Sequence, residues 1–573
     1  MEEQALQKPR IDFLKKVVAE IKQKNIHSQD ELNRIKTQLA KKYGIKSTPK
    51  NIDIVSVISN EEREKYQELL TIKPTRMNSG VSVIAIMTAP LGCPHGKCIF
   101  CPGGPNSFFG DVPQSYTGNE PASMRAARNN YDSYLQVMNR LEQYAAMNKI
   151  SNKIELIIMG GTFPSYQKEY QDKFIRNAFK AMNDFGENFF DIVNGKTFLN
   201  IVKFNEFFEL PGNIKDAERT KRIQARLIEL KNVSDSSLEF EHKRNENSII
   251  RCVGLTIETK PDWGKLEHGN QMLALGATRV EIGVQTIYDN VLKKVNRGHT
   301  IKDTMESTRI LKDLGFKLNF HLMPGLPEVS REDDIASLKS MFSNPDFMPD
   351  MIKIYPCLVM PGTPLYHMWK RGEYIPLTTQ EVSEMIVEFK KYVPRFCRIM
   401  RIQRDIPTKV TSAGVDRTNL RQYITELMIT KNIECKCIRC REPKGRRIGS
   451  TGLNITEYTA SGGMEFFISA DDENDYLAGF CRMRFPSQSL RNEITEKSAL
   501  IRELHVYGRA VPIGEAGNIQ HKGFGKILMV KAEEIAKQNG MDKMVVISAI
   551  GTREYYRKLG YEKEGIYMVK HLE

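Results

Sequence analysis

Short apolar runs alternate with amphipathic helical segments through the middle of this chain. Between about residues 80 and 400, most runs end in a turn signal, after which hydrophobic residues recur with the 3.6-residue period of a helix. Apolar strands that alternate with helices predict a parallel sheet covered by helices. The predicted strands are Val83–Met87, Ile154–Met159, Cys252–Ile257, Val280–Val284, Lys317–Leu322 and Met351–Tyr355.

Six strand–helix units are fewer than a closed eight-stranded barrel needs, so we expect a partial (β/α)6 barrel. Barrel chemistry lies at the C-terminal ends of the strands, which is where the informative residues of this chain fall. The interval 195–248 interrupts the rhythm with charged helical sequence. We interpret this interval as a surface insertion that is basic in part, notably over residues 218–226.

The two ends of the chain have different patterns. Near the N-terminus, Phe13, Val17 and Ile21 fall on one face of a helix with lysines opposite, which predicts a small helical unit. Near the C-terminus, strands followed by one clear helix at 526–539 predict a separate α+β domain. The fold class is therefore α/β multidomain. The predicted domains are 1–75, helical; 76–400, barrel; 401–455, an Arg-, Lys-, Gly- and Pro-rich linker; and 456–573, α+β.

Composition and charge restrict the possible partners. The chain has 573 residues, too many for one core, and its 40% hydrophobic content excludes wholesale disorder. No apolar run is long enough to span a membrane and the polar N-terminus does not resemble a signal peptide, so we expect a cytoplasmic protein. The net charge of +14 favours a polyanionic partner, although a solvated basic surface is an alternative.

Basic residues concentrate in two places. Residues 1–50 contain 12 Lys plus Arg against 6 Asp plus Glu, so the helical unit is either a nucleic-acid-binding appendage or a solvated pair of helices. The linker adds a second basic group next to a cysteine cluster. The candidate nucleic-acid contacts are Lys15, Lys16, Lys41, Lys42, Arg439, Arg441, Lys444, Arg446 and Arg447.

Three of the ten cysteines follow the first predicted strand directly, as Cys93-x4-Cys98-x2-Cys101. Clustered cysteines in a long chain without a secretory signal indicate metal binding rather than disulfides. Three thiolates hold three irons of a [4Fe–4S] cluster and leave the fourth iron open, whereas structural zinc normally takes four protein ligands. The position at a strand end therefore predicts an iron–sulfur cluster with an open iron, and zinc is the alternative.

Cys435-x-Cys437-x2-Cys440 forms a second trio, which has neither paired glycines nor a strand end beside it. We expect a zinc ion here, with a fourth thiolate from elsewhere in the chain. Cys357 is the best candidate for that ligand, while His321 and Cys397 are weaker alternatives. A second iron–sulfur centre is the competing interpretation.

The segment Gln520-His-Lys-Gly-Phe-Gly525 precedes the helix at 526–539 and fits the pattern Q/R-x-x-G-x-G/A. The free N–H groups at a helix start bind phosphate, and glycines allow a pyrophosphate to approach the backbone closely. The pattern therefore predicts a cradle for a phosphate group.

The first trio on a partial barrel resembles the radical S-adenosylmethionine (SAM) superfamily. Its C-x4-C-x2-C spacing is one residue longer than the commonest spacing there, and together with CPGGP it resembles the archaeal and bacterial catalytic subunit of Elongator. This resemblance implies that SAM binds the open iron and is cleaved to a 5′-deoxyadenosyl radical. It also implies that Lys153 contacts the acyl group. The implied cofactor contacts are Gly160, Gly161 and Thr162 of a Gly-Gly motif, with Glu258, Lys260 and Gln285.

Residues 456–573 are similar to a GNAT acetyltransferase domain. That similarity implies a strand beside the acetyl thioester, Tyr555 or Tyr556 at the sulfur as an acid, and Glu503 as a base for water. The remaining implied coenzyme A contacts are Leu504, His505, Val506, Gln520, Lys522, Gly523, Phe524, Gly525 and Lys526.

The resemblance to the Elongator subunit extends over about 500 of the 573 residues. It implies carboxymethylation of the wobble uridine of transfer RNA (tRNA): acetyl-coenzyme A supplies the acetyl group, the radical removes a methyl hydrogen, and the carbon radical adds to C5. The loop 113–118 is a candidate site for the flipped base. A homodimer or further Elongator-like subunits are possible partners. A lysine acetyltransferase with a structural iron–sulfur domain and a non-enzymatic RNA-binding scaffold are the alternatives.

Overall fold

A computed structural model describes residues 2–45, 48–49, 51–55, 57–70, 80–148, 151–212, 216–444, 446–508 and 523–573. The N-terminal part is helical, as its amphipathic pattern predicted. Its buried apolar residues, among them Phe13, Val17 and Ile21, form a core of their own. The helices are Glu2–Gln23, Gln29–Lys42, Asn51–Val55, Asn60–Lys65 and Gln67–Leu70.

The central part is a partial barrel of parallel strands that follow one another in chain order. It has seven strands rather than the expected six. The additional strand was missed because arginines interrupt its apolar residues. The strands are β1 (Ser82–Met87), β2 (Lys153–Met159), β3 (Arg251–Thr259), β4 (Arg279–Gln285), β5 (Lys317–Leu322), β6 (Met351–Ile354) and β7 (Arg398–Ile402).

Alternate residues of each strand face opposite sides of the barrel wall. On β1, Ile84 and Ile86 pack into the main core, while Val83 and Ala85 line the interior. The helices of this part are Pro121–Arg128, Ser133–Ala146, Lys168–Phe189, Leu266–Ala274, Asp289–Lys294, Ile301–Asp313, Arg331–Ser343, Pro364–Lys370, Thr379–Lys390, Leu420–Thr430 and Ile438–Arg441. A short hairpin, Gly104–Ser107 with Gly110–Val112, follows the first cysteines.

The predicted insertion at 195–248 is helical but is not a free basic surface. Arg219 is buried against Glu142, with 3.1 Å between Nη2 and Oε1, and Arg222 and Arg226 pair with Glu209. Acidic partners therefore offset the charge of these three arginines. The elements here are the hairpin Phe190–Val193 with Lys196–Leu199 and the helices Ile201–Phe207, Ala217–Asn232 and Leu238–Asn247.

The C-terminal part is a separate seven-stranded mixed sheet with the helices Phe524–Gln538 and Arg553–Arg557. The predicted α+β domain is confirmed. Its spatial order is β8-β9-β10-β11-β12-β14-β13, and only the β11–β12 pair is parallel. The strands are β8 (Thr451–Ala460), β9 (Gly463–Asp472), β10 (Leu477–Phe485), β11 (Ser498–Val506), β12 (Lys543–Val546), β13 (Glu562–Glu564) and β14 (Tyr567–His571).

This sheet covers the N-terminal end of the barrel, opposite the end that carries Cys93. Lys317, at the start of β5, lies 2.7 Å from Glu503, and Asp350, just before β6, lies 2.5 Å from Arg502. Arg502 and Asp350 are fully buried, and Arg502 also pairs with Glu465 at 3.1 Å, so a buried network of ion pairs joins the sheet to the barrel. Among the described residues, no helix combines the length and apolar character needed to cross a membrane.

Candidate active sites at the two ends of the barrel

Cys93, Cys98 and Cys101 lie in the loop that follows β1, at the C-terminal end of the barrel. Gly96 turns this loop with a φ of 85°, and its N–H donates to the Cys93 carbonyl at 3.0 Å. The three sulfurs do not all lie within 4.8 Å of one another, in contrast to those of the second trio. Because thiolates around a single zinc ion are about 3.8 Å apart, the wider arrangement favours a multinuclear cluster.

Positive charge surrounds this trio. Arg297 Nη1 lies 3.8 Å from Cys98 Sγ, and the ammonium of buried Lys260 faces the same thiol. His95 Nε2 is 3.2 Å from Cys98 Sγ, and burial together with both cations lowers the pKa of His95 to about 3. Three thiolates and an iron–sulfur cluster carry net negative charge, so these two cations fit such a group.

Paired glycines at the end of β2 open the backbone beside the trio. Gly160 and Gly161 have φ angles of 119° and 109°, which disfavour other residues. A Cβ on Gly160 would come within 2.4 Å of Thr88 Oγ1, and one on Gly161 would come within 3.8 Å of Cys93 Sγ. Thr162 Oγ1 is 3.6 Å from the same sulfur. The predicted Gly-Gly motif therefore lies next to the cysteines.

A charged network lies deeper in the same mouth and includes residues that the sequence analysis missed. Glu281 accepts from His321 Nε2 at 2.8 Å and from Lys353. Burial alone would raise the pKa of Glu281, but the Lys353 charge and the His321 bond hold it well below its usual range. Burial raises the pKa of Glu258, which accepts from Tyr116 at 3.0 Å. A lysine within the apolar strand β6 was the signal that could have revealed the network.

Two further predicted cofactor contacts line this mouth. Lys260 pairs with Asp262 at 3.2 Å, and burial lowers the pKa of the lysine. Gln285 ends β4 with a φ of 71°, and its buried Oε1 has no hydrogen-bond partner among the described residues. Unlike Lys260, Gln285 therefore has a hydrogen-bond acceptor that is available to a ligand. Arg404, which was not predicted, donates to the Ser115 carbonyl and lies over Tyr116.

The second predicted site starts at Gly523, which has a φ of 81° and precedes the helix Phe524–Gln538. No side chain of a described residue caps this helix start, so its N–H groups are available to a phosphate. A Cβ on Gly525 would lie 2.5 Å from Tyr555 Oη, which explains the second glycine of the motif. Lys526 is exposed at this end. Gln520 and Lys522 lie outside the described residues.

The two tyrosines differ in environment. Tyr556 is buried and lines the cavity, whereas Tyr555 is 40% exposed above the helix start. Burial raises the pKa of Tyr555 to about 12. Leu504 and His505 line the cavity, and Val506 ends the same strand.

Glu503 does not fit the predicted role of a base. Its two carboxylate oxygens pair with Lys317 at 2.7 Å and Arg482 at 2.9 Å. Although burial opposes ionisation, the charges of Lys317 and Arg482 hold the pKa of Glu503 far below its usual range. An ion-paired carboxylate of this kind is a poor proton acceptor, so we correct that assignment. Lys153 begins β2 and therefore lies at the end of the barrel that the C-terminal sheet covers.

One cavity of about 1850 Å3 connects the two sites through the barrel. Its wall contains Cys93, Cys98 and Cys101 at one end, and Leu504, His505 and Tyr556 at the other. The cavity also extends along the gap between β1 and β7, which do not pair with each other. A group bound at either end therefore has a path to the other end inside the molecule.

The second trio is compact and has no Cys357 beside it. The sulfurs of Cys435, Cys437 and Cys440 lie within 4.8 Å of one another, and no other described Cys, His, Asp or Glu completes the group. Cys357 lies beside Tyr374 in the apolar cluster that contains Cys98, so our choice of fourth ligand was wrong. Lys390 Nζ is instead 3.6 Å from Cys440 Sγ.

The alternative fourth ligands do not complete the trio either. His321 is engaged by Glu281 in the barrel. Cys397 is buried near Cys437, and its carbonyl accepts from the Ile438 N–H at 2.9 Å. Its sulfur is nevertheless not within 4.8 Å of all three others.

The predicted nucleic-acid contacts divide into exposed and buried residues. Arg441 is buried, pairs with Asp471 and lies 3.2 Å from Asp475, so it joins the linker to β9 and cannot follow an RNA backbone. Arg439 is half-buried beside Glu442. The exposed members are Lys15, Lys16, Lys41, Lys42, Lys444, Arg446 and Arg447.

Comparison with known proteins agrees with this arrangement. Residues 88–340 match the Radical SAM superfamily and residues 349–429 its C-terminal domain. Residues 439–561 match the GNAT acetyltransferase family, and residues 10–77 match the ELP3 N-terminal domain.

Several known proteins are similar to this chain over most of its length. The chain is 44% identical to the tRNA uridine(34) acetyltransferase of Methanocaldococcus infernus, covering 98% of both chains. It is 39% identical to Elongator complex protein 3 of Bos taurus, over 95% of this chain and 93% of that one. A solved structure of M. infernus Elp3 with an N-terminal deletion superposes with a TM-score of 0.69 at 40% identity, covering 86% of this chain and 100% of that one.

Proposed function

Because the chain belongs to the Elongator complex protein 3 family, we propose that it transfers an acetyl-derived group from acetyl-coenzyme A to the wobble uridine of tRNA. It combines a radical SAM barrel with a GNAT acetyltransferase domain. The observation that carries the proposal is the single cavity with Cys93, Cys98 and Cys101 at one end and Tyr556 at the other. A radical site and an acyl site that share one cavity suit a reaction that needs both.

The mouth of the barrel has the residues for the radical half of the reaction. When bound, a [4Fe–4S] cluster and SAM would supply a 5′-deoxyadenosyl radical, which can take a hydrogen atom from an unactivated methyl group. Cys93, Cys98 and Cys101 would hold the cluster, and Arg297 would offset its charge. The backbone of Gly160 to Thr162 and the free Gln285 Oε1 would bind SAM. Glu258 and Lys260 remain predicted contacts.

The other end has the residues for the acyl half. The N–H groups at Phe524 and after it would bind the coenzyme A pyrophosphate, since no side chain of a described residue caps them. We assign the position next to the thioester sulfur to Tyr556 rather than Tyr555, because Tyr556 lines the cavity. Lys153 stays a predicted acyl contact.

The open side of the barrel offers a basic approach for RNA. Cations line the cavity on both sides of the gap between β1 and β7. A neutral substrate does not need this positive charge, whereas the phosphates of an RNA backbone are bound by it. Tyr116 belongs to the loop 113–118, and Arg404 lies over its ring at the mouth. We retain this loop as the candidate uridine site. Among the cations that line the cavity are Arg125, Arg140, Arg401, Arg404, Arg421, Arg439 and Lys444.

We propose zinc for the second trio. The short distances between Cys435, Cys437 and Cys440 suit one tetrahedral ion. The ammonium of Lys390 would offset the negative charge of three thiolates. The trio faces no cavity described here, so the ion would stabilise the linker rather than take part in catalysis.

The test is an anaerobic reaction of reconstituted protein, tRNA, SAM and acetyl-coenzyme A, followed by nucleoside mass spectrometry. We expect a modified uridine that disappears when SAM or acetyl-coenzyme A is omitted. A chain with an intact, reducible cluster that forms no modified uridine would contradict the proposal. Amine acetylation that survives Cys98→Ala would instead favour a lysine acetyltransferase with a structural iron–sulfur domain.

A further inference from the structure

Two glutamates lie close together at the mouth of the barrel, and one of them is fully paired. One carboxylate oxygen of Glu258, one of Glu281 and a ring nitrogen of His321 lie within 4.8 Å of one another. Glu281 is 1% exposed. Its Oε2 accepts from His321 and Lys353, and its Oε1 accepts from Asn319 at 3.3 Å. Glu281 therefore has no oxygen left for a ligand.

Glu258 differs from Glu281 in having one oxygen without a partner. It is half-buried and lines the cavity. Its Oε2 accepts from Tyr116 at 3.0 Å, and no described residue donates to its Oε1. Burial raises the pKa of Glu258, but the positive charges of Lys353 and Arg404 act against this shift and favour the carboxylate. Polar atoms inside a protein normally have partners, so Glu258 Oε1 indicates a ligand that carries a hydrogen-bond donor.

A divalent metal ion is an alternative occupant of a group with two glutamates and a histidine. The ammonium of Lys353, however, already contacts the oxygen of Glu281 that faces His321. This ammonium is a cation in the place where a metal ion would bind. The arrangement therefore favours a neutral ligand with both a donor and acceptors.

The Watson–Crick edge of uracil has this combination of groups. Its N3–H is a donor between two acceptors, the O2 and O4 carbonyl oxygens. Glu258 Oε1 would accept from N3–H, and Lys353 and Arg404, which also line the cavity, carry donors for the carbonyl oxygens. Cytosine has no proton on N3, so it would place a lone pair against the carboxylate and leave Glu258 Oε1 unpaired.

We propose that Glu258 recognises the wobble base by accepting a hydrogen bond from uracil N3–H and thereby selects uridine over cytidine. This inference rests on the proposed function, which supplies the identity of the base, and it moves Glu258 from the cofactor contacts to the RNA contacts. Tyr116, in the loop 113–118, holds the carboxylate in place from the side of the candidate uridine site. A base held by N3 leaves its C5–C6 edge, on the opposite side of the ring, free to react.

Anticodon stem–loop RNAs with uridine, cytidine or N3-methyluridine at the wobble position test this contact without SAM or acetyl-coenzyme A. N3-methyluridine keeps both carbonyl oxygens but lacks the N3–H. Fluorescence anisotropy at one fixed salt concentration gives the Kd of each RNA. The unmodified chain should bind the uridine RNA at least about tenfold more tightly than either of the other two.

Glu258→Gln should remove the selection by a gain of binding. The amide of glutamine can accept from uracil N3–H or, after rotation, donate to cytosine N3, so the cytidine RNA should bind within about threefold of the uridine RNA. A variant that is merely damaged would not gain affinity for cytidine. The matched control is Glu267→Gln, whose side chain is 82% exposed on the helix Leu266–Ala274, and it should keep the full preference. If Glu258→Gln does not fold, Glu258→Ala should likewise reduce the preference to within about threefold.

Equal binding of the three RNAs by the unmodified chain would overturn the inference, and so would a tenfold preference for uridine that survives in the Glu258 variants. These outcomes differ from a failure of the proposed function. Selective binding of uridine RNA by a chain that forms no modified uridine in the complete reaction would contradict only the proposed function. Uridine modification with a preference that does not depend on Glu258 would contradict only this inference.

Discussion

The two cysteine trios have similar spacings along the chain but opposite surroundings. The first lies at the ends of parallel strands, with its sulfurs spread apart and Arg297 and Lys260 beside a cavity. The second is compact, lies off that cavity and has Lys390 next to it. The comparison teaches that sulfur separation and access to a cavity, rather than the number of cysteines, distinguish a catalytic cluster from a structural ion.

The largest expected effect is the difference in uridine modification between variants of the first trio and variants of the second. Cys98→Ala should remove cluster iron and lower uridine modification more than about 100-fold, since it removes the group that starts the reaction. Cys437→Ala should remove zinc and lower thermal stability, yet change the modification rate less than about tenfold. Iron and zinc analysis with nucleoside mass spectrometry measures both. Equal loss of activity in the two variants would remove the distinction.

A smaller effect concerns the backbone beside the first trio. Gly161→Ala places a Cβ at a φ of 109° next to Cys93, so we expect SAM affinity to fall about tenfold. Gly414 has the same φ of 109°, but a Cβ there would meet Leu358 and the Cys357 carbonyl rather than a cysteine sulfur. Gly414→Ala should therefore lower the unfolding temperature and leave SAM affinity unchanged. Calorimetry of SAM binding measures the difference, and equal affinities in the two variants would contradict it.

The second trio has its own electrostatic test. Lys390→Met removes the ammonium that lies 3.6 Å from Cys440 Sγ, so zinc affinity should fall about tenfold. Lys391→Met, at the exposed neighbouring position, is the control and should keep the affinity of the unmodified chain. Competition with a chromogenic chelator gives both values. Unchanged zinc affinity in Lys390→Met would argue against a role for this charge.

The smallest effect is a pH dependence of stability that arises at the barrel mouth. Burial and the charge of Lys353 lower the pKa of His321 to about 4 in the folded state, against an ordinary value of 6.5. Below pH 6.5 the unfolded chain therefore takes up this proton first, and stability falls as the pH decreases from 6.5 towards 4. His321→Gln should remove about 1 kcal/mol of the loss between pH 6.5 and 5.5. Urea unfolding at both pH values measures it, and identical pH slopes would contradict the assignment.

Patterns of the sequence predicted the elements better than their contacts. Apolar runs located six strands of the barrel, but the alternation of arginine with apolar residues in Arg398–Ile402 concealed the seventh. Local motifs located the first trio and Gly523 to Gly525, because their residues are neighbours in the chain.

Contacts between distant segments were not predictable from local patterns. Cys357 follows a strand, as a ligand can, but only the fold shows that it lies beside Tyr374. Arg441 belongs to a basic run, yet Asp471 of β9 and Asp475 of the loop after it neutralise its charge. Glu503 is paired in the same way by Lys317 and Arg482.

The most direct test uses acetyl-coenzyme A with a trideuterated methyl group in the complete anaerobic reaction with tRNA. If the sites at the two ends of the cavity act on one acetyl group, one deuterium should appear in 5′-deoxyadenosine and two should remain on the carbon joined to uridine. Mass spectrometry of both nucleosides measures this distribution. A modified uridine that keeps all three deuterium atoms, with none in 5′-deoxyadenosine, would contradict the account.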